Sequence, residues 1–242
     1  MASDARFYCP DLTGPVVALP PEEAHHACAV LRLRPGDEIM LFDGAGTEGR
    51  GRLAAVARGE TTVEVRQTVR VPFEPRIRLT LAVAMPRTHR QRVLFEKCTE
   101  LGVFAIQPLI CERSVAKPGP DSVAKWLRTA IEAAKQSRRA WIPRIESPRV
   151  FTDAVGAAGA YELAVLLTPF PDVVPLGRLL CDRPACGTMM AWIGPEGGFT
   201  DAEADRVVRA GALPARVGPG ILRVETAAVV TAGLVAALAD VR

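Results

Sequence analysis

From residue 76 onward the chain alternates short apolar runs with longer amphipathic stretches. Arg76 to Ala84, Phe104 to Ile110, Leu163 to Thr168 and Met189 to Ile193 read as buried strands. Between and after them, His89 to Leu101, Asp121 to Arg139, Phe151 to Ala158, Asp201 to Val208 and Val224 to Val241 carry helical spacing. Gly102 sits where a helix C-terminal glycine belongs. Thr200 with Glu203 three residues on forms a capping box ahead of the 201–208 helix. Strands alternating with helices of this length predict an α/β fold with a mostly parallel sheet and helices on both faces.

The first 70 residues have a different pattern. Arg6 to Cys9, Asp37 to Asp43, Gly49 to Ala57 and Thr61 to Val71 read as strands, with helical character from Glu22 to Leu33 that ends at Arg34-Pro35-Gly36. This predicts a small barrel-like module, residues 1–72, a linker at Val71 to Pro75, and a second domain, residues 73–242. Gly44-Ala45-Gly46-Thr47-Glu48-Gly49 matches the spacing of a dinucleotide-binding fingerprint. That fingerprint needs a helix after its glycines. Here the next segment is strand-like, so the string reads as a hairpin loop.

Composition narrows the picture. No run of about 18 uncharged apolar residues is present, so no transmembrane helix is expected. Met1 to Arg6 lacks the basic-then-apolar order of a signal peptide, so a cytoplasmic protein is the expectation. The six cysteines form no Cys-x-x-Cys pair; most sit in apolar surroundings, as small buried residues do, and they read as reduced and structural. His25, His26 and Cys28 are too few, with no second cluster, to predict a metal site. The net charge of +3 hides two basic blocks. Residues 50–92 carry ten Arg against three acids, and residues 125–149 seven basic residues against two acids. Residues 1–49 carry three basic residues against eight acids. Two basic blocks on an otherwise acidic chain suggest a polyanionic partner.

Two stretches carry the candidate chemistry. Ile193-Gly194-Pro195-Glu196-Gly197-Gly198-Phe199-Thr200 runs from a strand through a Gly/Pro turn into a helix. Val217-Gly218-Pro219-Gly220-Ile221-Leu222-Arg223 does the same ahead of the last helix. Glycines let backbone approach a ligand closely, and ligands of open α/β sheets bind beyond the carboxyl ends of the strands. Read as residues alone, the two stretches are either tight turns or a ligand site. A phosphate or nucleotide at the helix N-termini and a non-catalytic RNA-binding role also remain open.

Gly194 to Thr200, with Ile221-Leu222-Arg223-Val224-Glu225-Thr226-Ala227 downstream, resembles the signature pair of the RsmE-like family. These are uridine N3-methyltransferases of small-subunit (16S) ribosomal RNA, in the SPOUT superfamily. Further segments agree in order: His25-His26 with Val30-Leu31-Arg32, Pro35-Gly36-Asp37, Asp43-Gly44, Lys97 to Val103, Arg113 to Lys117, and Ala130 to Ser137. The resemblance covers nearly the whole chain. It departs from the family pattern at Met85 to Arg90 and at Ser137-Arg138-Arg139, both of which keep positive charge.

The resemblance implies a PUA-like RNA-binding β-barrel ahead of a SPOUT domain with a C-terminal trefoil knot, and a homodimer. S-adenosyl-L-methionine would bind Leu166, Leu167, Thr168 and Pro169, then Ile193, Gly194, Pro195, Glu196, Gly197 and Gly198, then Val217, Gly218, Ile221 and Leu222. With the basic blocks, it nominates Arg6, His25, Arg32, Arg66, Arg70, Arg76, Arg78, Arg87, Arg90, Arg138 and Arg139 as contacts to 16S ribosomal RNA or the small subunit. Arg223, Glu196 and Glu225 are the catalytic candidates. Glu225 also has a plain reading, a carboxylate favoured in a helix first turn. Glu196 could equally hold turn amides.

Overall fold

A computed structural model describes residues 5–57, 60–170 and 172–240. The chain divides into two compact units, Met1–Phe73 with Ile131–Ile142, and Glu74–Ala130 with Pro143–Arg242.

The first unit contains β1 (Arg6–Tyr8), β2 (Val16–Ala18), α1 (Pro21–His25), β3 (Glu38–Phe42), β4 (Thr47–Ala57) and β5 (Glu60–Arg70). They form a five-stranded sheet in the order β1-β3-β4-β5-β2, antiparallel apart from β1 on β3. Register shifts at Arg50/Gly51 and Leu53/Ala55 mark β-bulges, which bend a ribbon as long as β4–β5. Phe7, Leu12, Val17, Leu19, Ile39, Leu41, Leu53 and Val63 fill its core. β2 is too short to show a pattern in the sequence. The expected 22–33 helix is only α1, continued by a π turn over His26–Val30.

The fingerprint-like string is a hairpin loop between β3 and β4. Its glycines serve packing. Gly44 and Gly46 have φ of +73° and +99°, and a Cβ on Gly46 would lie 2.3 Å from the Trp141 ring. Trp141 Nε1 donates to the Val71 carbonyl at 3.0 Å. Segment 131–142 is also tied down by charge. Lys135 Nζ donates to Glu23 at 3.0 and 3.2 Å and lies 3.2 Å from His26 Nδ1. The Lys135 and Glu23 side chains are 6% and 7% exposed. His26 is thus engaged by Lys135, and among the described residues no group of three His, Cys, Asp or Glu could hold a metal ion. Removing one partner of a buried pair strands the other charge. Lys135→Met is therefore expected to lower unfolding free energy by about 3–5 kcal/mol, read as a lower urea midpoint. Glu23→Gln added to Lys135→Met should regain most of it. An unchanged midpoint for the single variant would refute this account.

The second unit contains β6 (Arg78–Ala84), α2 (Thr88–Glu100), β7 (Ala105–Ile110), α3 (Ser122–Ser137, whose second half belongs to the first unit), β8 (Arg144–Ile145), β9 (Arg149–Val150) and α4 (Phe151–Ala154). Then come β10 (Leu163–Leu167), β11 (Val174–Pro175), α5 (Leu176–Cys181), β12 (Thr188–Ile193), α6 (Asp201–Arg209), β13 (Leu213–Arg216) and α7 (Val224–Asp240). The expected end of the last helix at Val241 lies outside the described residues. The sheet order is β11-β13-β10-β12-β6-β7-β8, with β9 also on β7, and every pairing is parallel.

Side-chain alternation along each strand sorts the core into two layers. Leu79, Leu81, Val83, Val165, Met189, Ala191 and Ile193 face α2, α5 and α7. Ala82, Ala84, Ala164, Leu166, Met190 and Trp192 face α4 and α6. Strands buried on both faces need apolar residues at nearly every position, which is why they read as continuous runs. The expected 151–158 helix is α4 with a 3-10 turn after it over Val155–Ala160. Gly156 and Gly159 lie in that turn, and glycine weakens α-helix. β8, β9, β11 and α5 have no signal in the sequence. All six cysteines are unpaired, and burial pushes the Cys98 thiol up to about 12.

Candidate active site

The order β13-β10-β12 brings the candidate loops together. These three strands are adjacent and parallel, with Leu166 opposite both Trp192 and Pro214. Their carboxyl ends therefore release three loops side by side, at Thr168, Gly194 and Val217. Thr168 N–H donates to the Ala215 carbonyl at 2.9 Å, tying two of the loops at their root. β6 and β7 end on the same edge and lead to Arg87–Arg90 and to Arg113. Leu166 and Ile193 are buried, at the strand ends. Pro169, Glu196, Gly197, Gly198 and Ile221 are exposed, while Leu167, Thr168, Gly194, Val217, Gly218 and Leu222 are half-buried. Pro195 is buried.

The loop after β12 has a fixed shape. Gly198 N–H donates to the Pro195 carbonyl at 2.8 Å, and Gly198 has a φ of +71°. Gly194 lies under the Phe199 ring, where a Cβ would meet Phe199 Cδ2 at 3.0 Å and its backbone nitrogen at 3.1 Å. Phe199 in turn packs on Phe151, which packs on the fully buried Trp192. Arg113, for which the sequence suggested no role, holds the loop from outside. Its Nη1 donates to the Gly197 carbonyl at 3.0 Å and reaches the Phe199 carbonyl at 3.5 Å.

The capping box at α6 is complete. Glu203 accepts from Thr200 N–H and from Glu112 N–H, each at 2.9 Å. A buried carboxylate thus occupies the helix N-terminus that the phosphate-binding reading required. A cavity of about 350 Å³ beside it, lined by Cys111, Phe151, Thr200, Glu203 and Arg206 among others, meets the loop after β12 only at Thr200. A cavity of about 650 Å³ between β11 and α5 takes in Asp172 and Val173, at the far end of the loop after β10. Neither cavity is lined by the candidate residues 166–169, 193–198 or 217–222.

The catalytic candidates are set apart by their partners. Glu225 is 8% exposed in the first turn of α7. Arg90 Nε lies 3.5 Å from its Oε1, and Arg90 Nη1 lies 3.8 Å from Glu196 Oε1. The Arg223 carbonyl accepts from Ala227 N–H at 2.8 Å. Its side chain is exposed, and among the described residues it has no ion-pair partner.

The expected RNA contacts divide. Arg6 is engaged within its unit: its side chain is 10% exposed, pairs with Glu48 at 2.6 Å, donates to the Arg139 carbonyl and lies over Phe42. Arg90 is half-buried between two carboxylates. His25, Arg32, Arg66, Arg70, Arg76, Arg78, Arg87 and Arg138 are exposed and Arg139 half-buried. Arg70 lies over Trp141 and Arg78 over Phe104. Arg32 and Arg138 hold positive φ, 53° and 57°, uncommon for residues with a side chain.

Known proteins resemble this chain over nearly its whole length. An RNA methyltransferase domain family matches residues 73–236, and an RNA methyltransferase PUA domain family matches residues 19–66. Ribosomal RNA small subunit methyltransferase E of Synechocystis sp. is 35% identical over 225 residues, 93% of this chain and 74% of that protein. The Mycobacterium bovis protein of the same name is 33% identical over 244 residues, 96% of this chain and 91% of that protein. The crystal structure of the Neisseria gonorrhoeae ribosomal RNA small subunit methyltransferase E, bound to S-adenosyl methionine, superposes with a TM-score of 0.86 at 29% identity, covering 98% of each chain. By sequence over nearly its whole length and by fold, this chain belongs to the RNA methyltransferase family that includes ribosomal RNA small subunit methyltransferase E.

Proposed function

We propose that this protein methylates N3 of a specific uridine in 16S ribosomal RNA, using S-adenosyl-L-methionine, as a cytoplasmic homodimer. The observation that carries the reading is the convergence of three loops, two of them rich in glycine and proline, on adjacent parallel strands. Beside them stands Arg223, exposed and, among the described residues, without an ion-pair partner. The residues fit the cofactor. Gly198 leaves backbone uncovered, and a buried acceptor, Glu225 Oε2, has no hydrogen-bond partner. Residues 166–169, 193–198, and Val217, Gly218, Ile221 and Leu222 would hold it. When bound, it supplies an electrophilic methyl group on a sulfonium. Residues 1–72 act as the RNA-binding PUA-like module and residues 73–242 as the methyltransferase domain, with the threaded C-terminal topology that the family resemblance implies.

The substrate sets the chain's own tasks. The imide nitrogen has no free lone pair until its proton leaves, so charge grows on the uracil as the methyl group arrives. Arg223 offers a permanent cation with donors in a plane. Orientation of the two reactants is the loops' task. The target base is turned out of any stack to reach them. α7 is apolar nearly all round, and Val229, Val230 and Leu234 stay half-buried; these side chains supply part of the two-fold contact.

The direct test compares 16S ribosomal RNA from cells with and without the gene. N3 methylation blocks the pairing edge of uracil, so a reverse-transcription stop at one uridine should vanish on deletion and return with the wild-type gene. No difference in modification would reject the activity. The RNA surface has its own test. Replacing Arg66, Arg70, Arg76, Arg78 and Arg87 by Glu together is expected to weaken RNA binding and flatten its salt dependence. The log–log slope should fall by about 0.7 for each phosphate of a single strand that is no longer neutralised. Cofactor affinity should not change. RNA affinity that survives at low salt would return these arginines to an ordinary solvated surface.

A further inference from the structure

Arg90, Glu196 and Glu225 come from three elements: the first turn of α2, the loop after β12 and the first turn of α7. The two contacts of Arg90, at 3.5 and 3.8 Å, exceed hydrogen-bond length. One guanidinium is therefore divided between two carboxylates, and the cluster carries a net charge of −1. Glu225 is buried, and its Oε2 is withdrawn from water with no donor. A buried carboxylate oxygen without a donor is costly, and it persists where something else completes it. Among the described residues nothing does. The missing group is thus a hydrogen-bond donor, and the excess negative charge favours a cationic one.

Two groups of S-adenosylmethionine are cationic. The sulfonium has no hydrogen to donate. The α-ammonium has three. We propose that Glu225 Oε2 accepts from the α-ammonium of the bound cofactor, and that Arg90 is a positioning residue that clasps Glu225 and the Glu196 loop around it. This rests on the cofactor reading above. The long contact between Arg90 and Glu225, at 3.5 Å, lets the Glu225 carboxylate turn toward the loops at little cost. Glu196, 31% exposed and on the glycine loop, serves as the outer half of the clasp. Glu225 then binds the cofactor tail and does not take the N3 proton.

The test is calorimetric titration of the full-length protein with S-adenosylmethionine, S-adenosylhomocysteine and 5′-methylthioadenosine, which keeps the adenosine and sulfur but has no ammonium. Glu225→Gln is expected to weaken the first two equally, by about ten- to a hundredfold, the scale of one charged hydrogen bond. Methylthioadenosine should bind the variant as it binds wild type. Arg90→Gln should show the same split, with RNA affinity unchanged. Glu225→Gln on top of Arg90→Gln should cost little more, and this pair guards against a single variant that fails to fold. Equal losses for all three ligands would mean a merely structural role and overturn the proposal. So would a loss confined to S-adenosylmethionine, which would assign the cluster to the sulfonium, or no loss at all. Failure of the wild-type protein to bind S-adenosylmethionine would instead reject the cofactor reading itself.

Discussion

Valine at Gly194 or Gly198 is expected to abolish measurable S-adenosylmethionine binding while leaving a folded protein. The two positions fail for different reasons. At Gly194 the new Cβ would meet the Phe199 ring at 3.0 Å and the Phe199 nitrogen at 3.1 Å. Phe199 cannot yield freely, because it is braced by Phe151 and through it by Trp192. The loop itself must shift. At Gly198 there is open space around a Cβ, but φ is +71°, and a β-branched residue is a poor occupant of that region. Local strain of about 1–3 kcal/mol, added to the loss of close backbone approach, puts the expected weakening beyond about a hundredfold, since about 1.4 kcal/mol is tenfold. Gly197 provides the contrast. A Cβ there meets only Arg113 carbons at 3.5 Å, ordinary contact distance, so Gly197→Ala should keep the loop's shape. Titration calorimetry with circular dichroism reads all three. A folded Gly194→Val that binds with wild-type affinity would remove this loop from the site.

Arg223→Ala is expected to slow methyl transfer by roughly a hundredfold or more, the scale of removing one preorganised donor to a developing anion. The structure separates the two ends of this residue. Its backbone starts α7, with the carbonyl bonded to Ala227 N–H at 2.8 Å. Its exposed side chain contributes no ion pair among the described residues, so truncating it removes no such support from the fold. Stabilisation confined to the transition state shows in turnover more than in binding. Single-turnover assays on 16S ribosomal RNA should therefore show a large loss in rate beside a small change in cofactor affinity. The residual rate should rise with pH, as more of the uridine loses its N3 proton unaided. A normal rate would make Arg223 a surface residue. Loss of the cofactor in place of rate would make it a binding residue and move the assistance to deprotonation elsewhere, with Glu196 next.

Much of the fold was legible in the chain because local rules governed it. β6, β7, β10 and β12 are buried on both faces, so each is a largely apolar run, interrupted in β6 by Thr80 and in β7 by Gln107. Gly102, with φ of +74°, closes α2 as its place predicts. The Thr200/Glu203 box starts α6 through hydrogen bonds that span only three residues. The hairpin at Gly44–Gly49 was separable from a dinucleotide site because the next residues, Arg50 to Val56, have the pattern of a strand and not of a helix. Elements of two residues, such as β8, β9 and β11, were not legible, since two residues have no period.

What the sequence determined by itself is therefore the set of longer elements, their faces, and the two loops that carry the family's residues. Strand order was beyond it. Every strand buried in a parallel sheet presents the same kind of apolar run, so nothing local says that β10 lies between β13 and β12, and that adjacency is what brings the three loops together. Charge pairing was beyond it too. Arg90 sits in a basic block of the chain. Tertiary structure placed it against Glu196 and Glu225, both far along the chain, just as it placed Arg6 against Glu48. Electrostatic interaction falls with distance in space, and only the folded chain sets those distances.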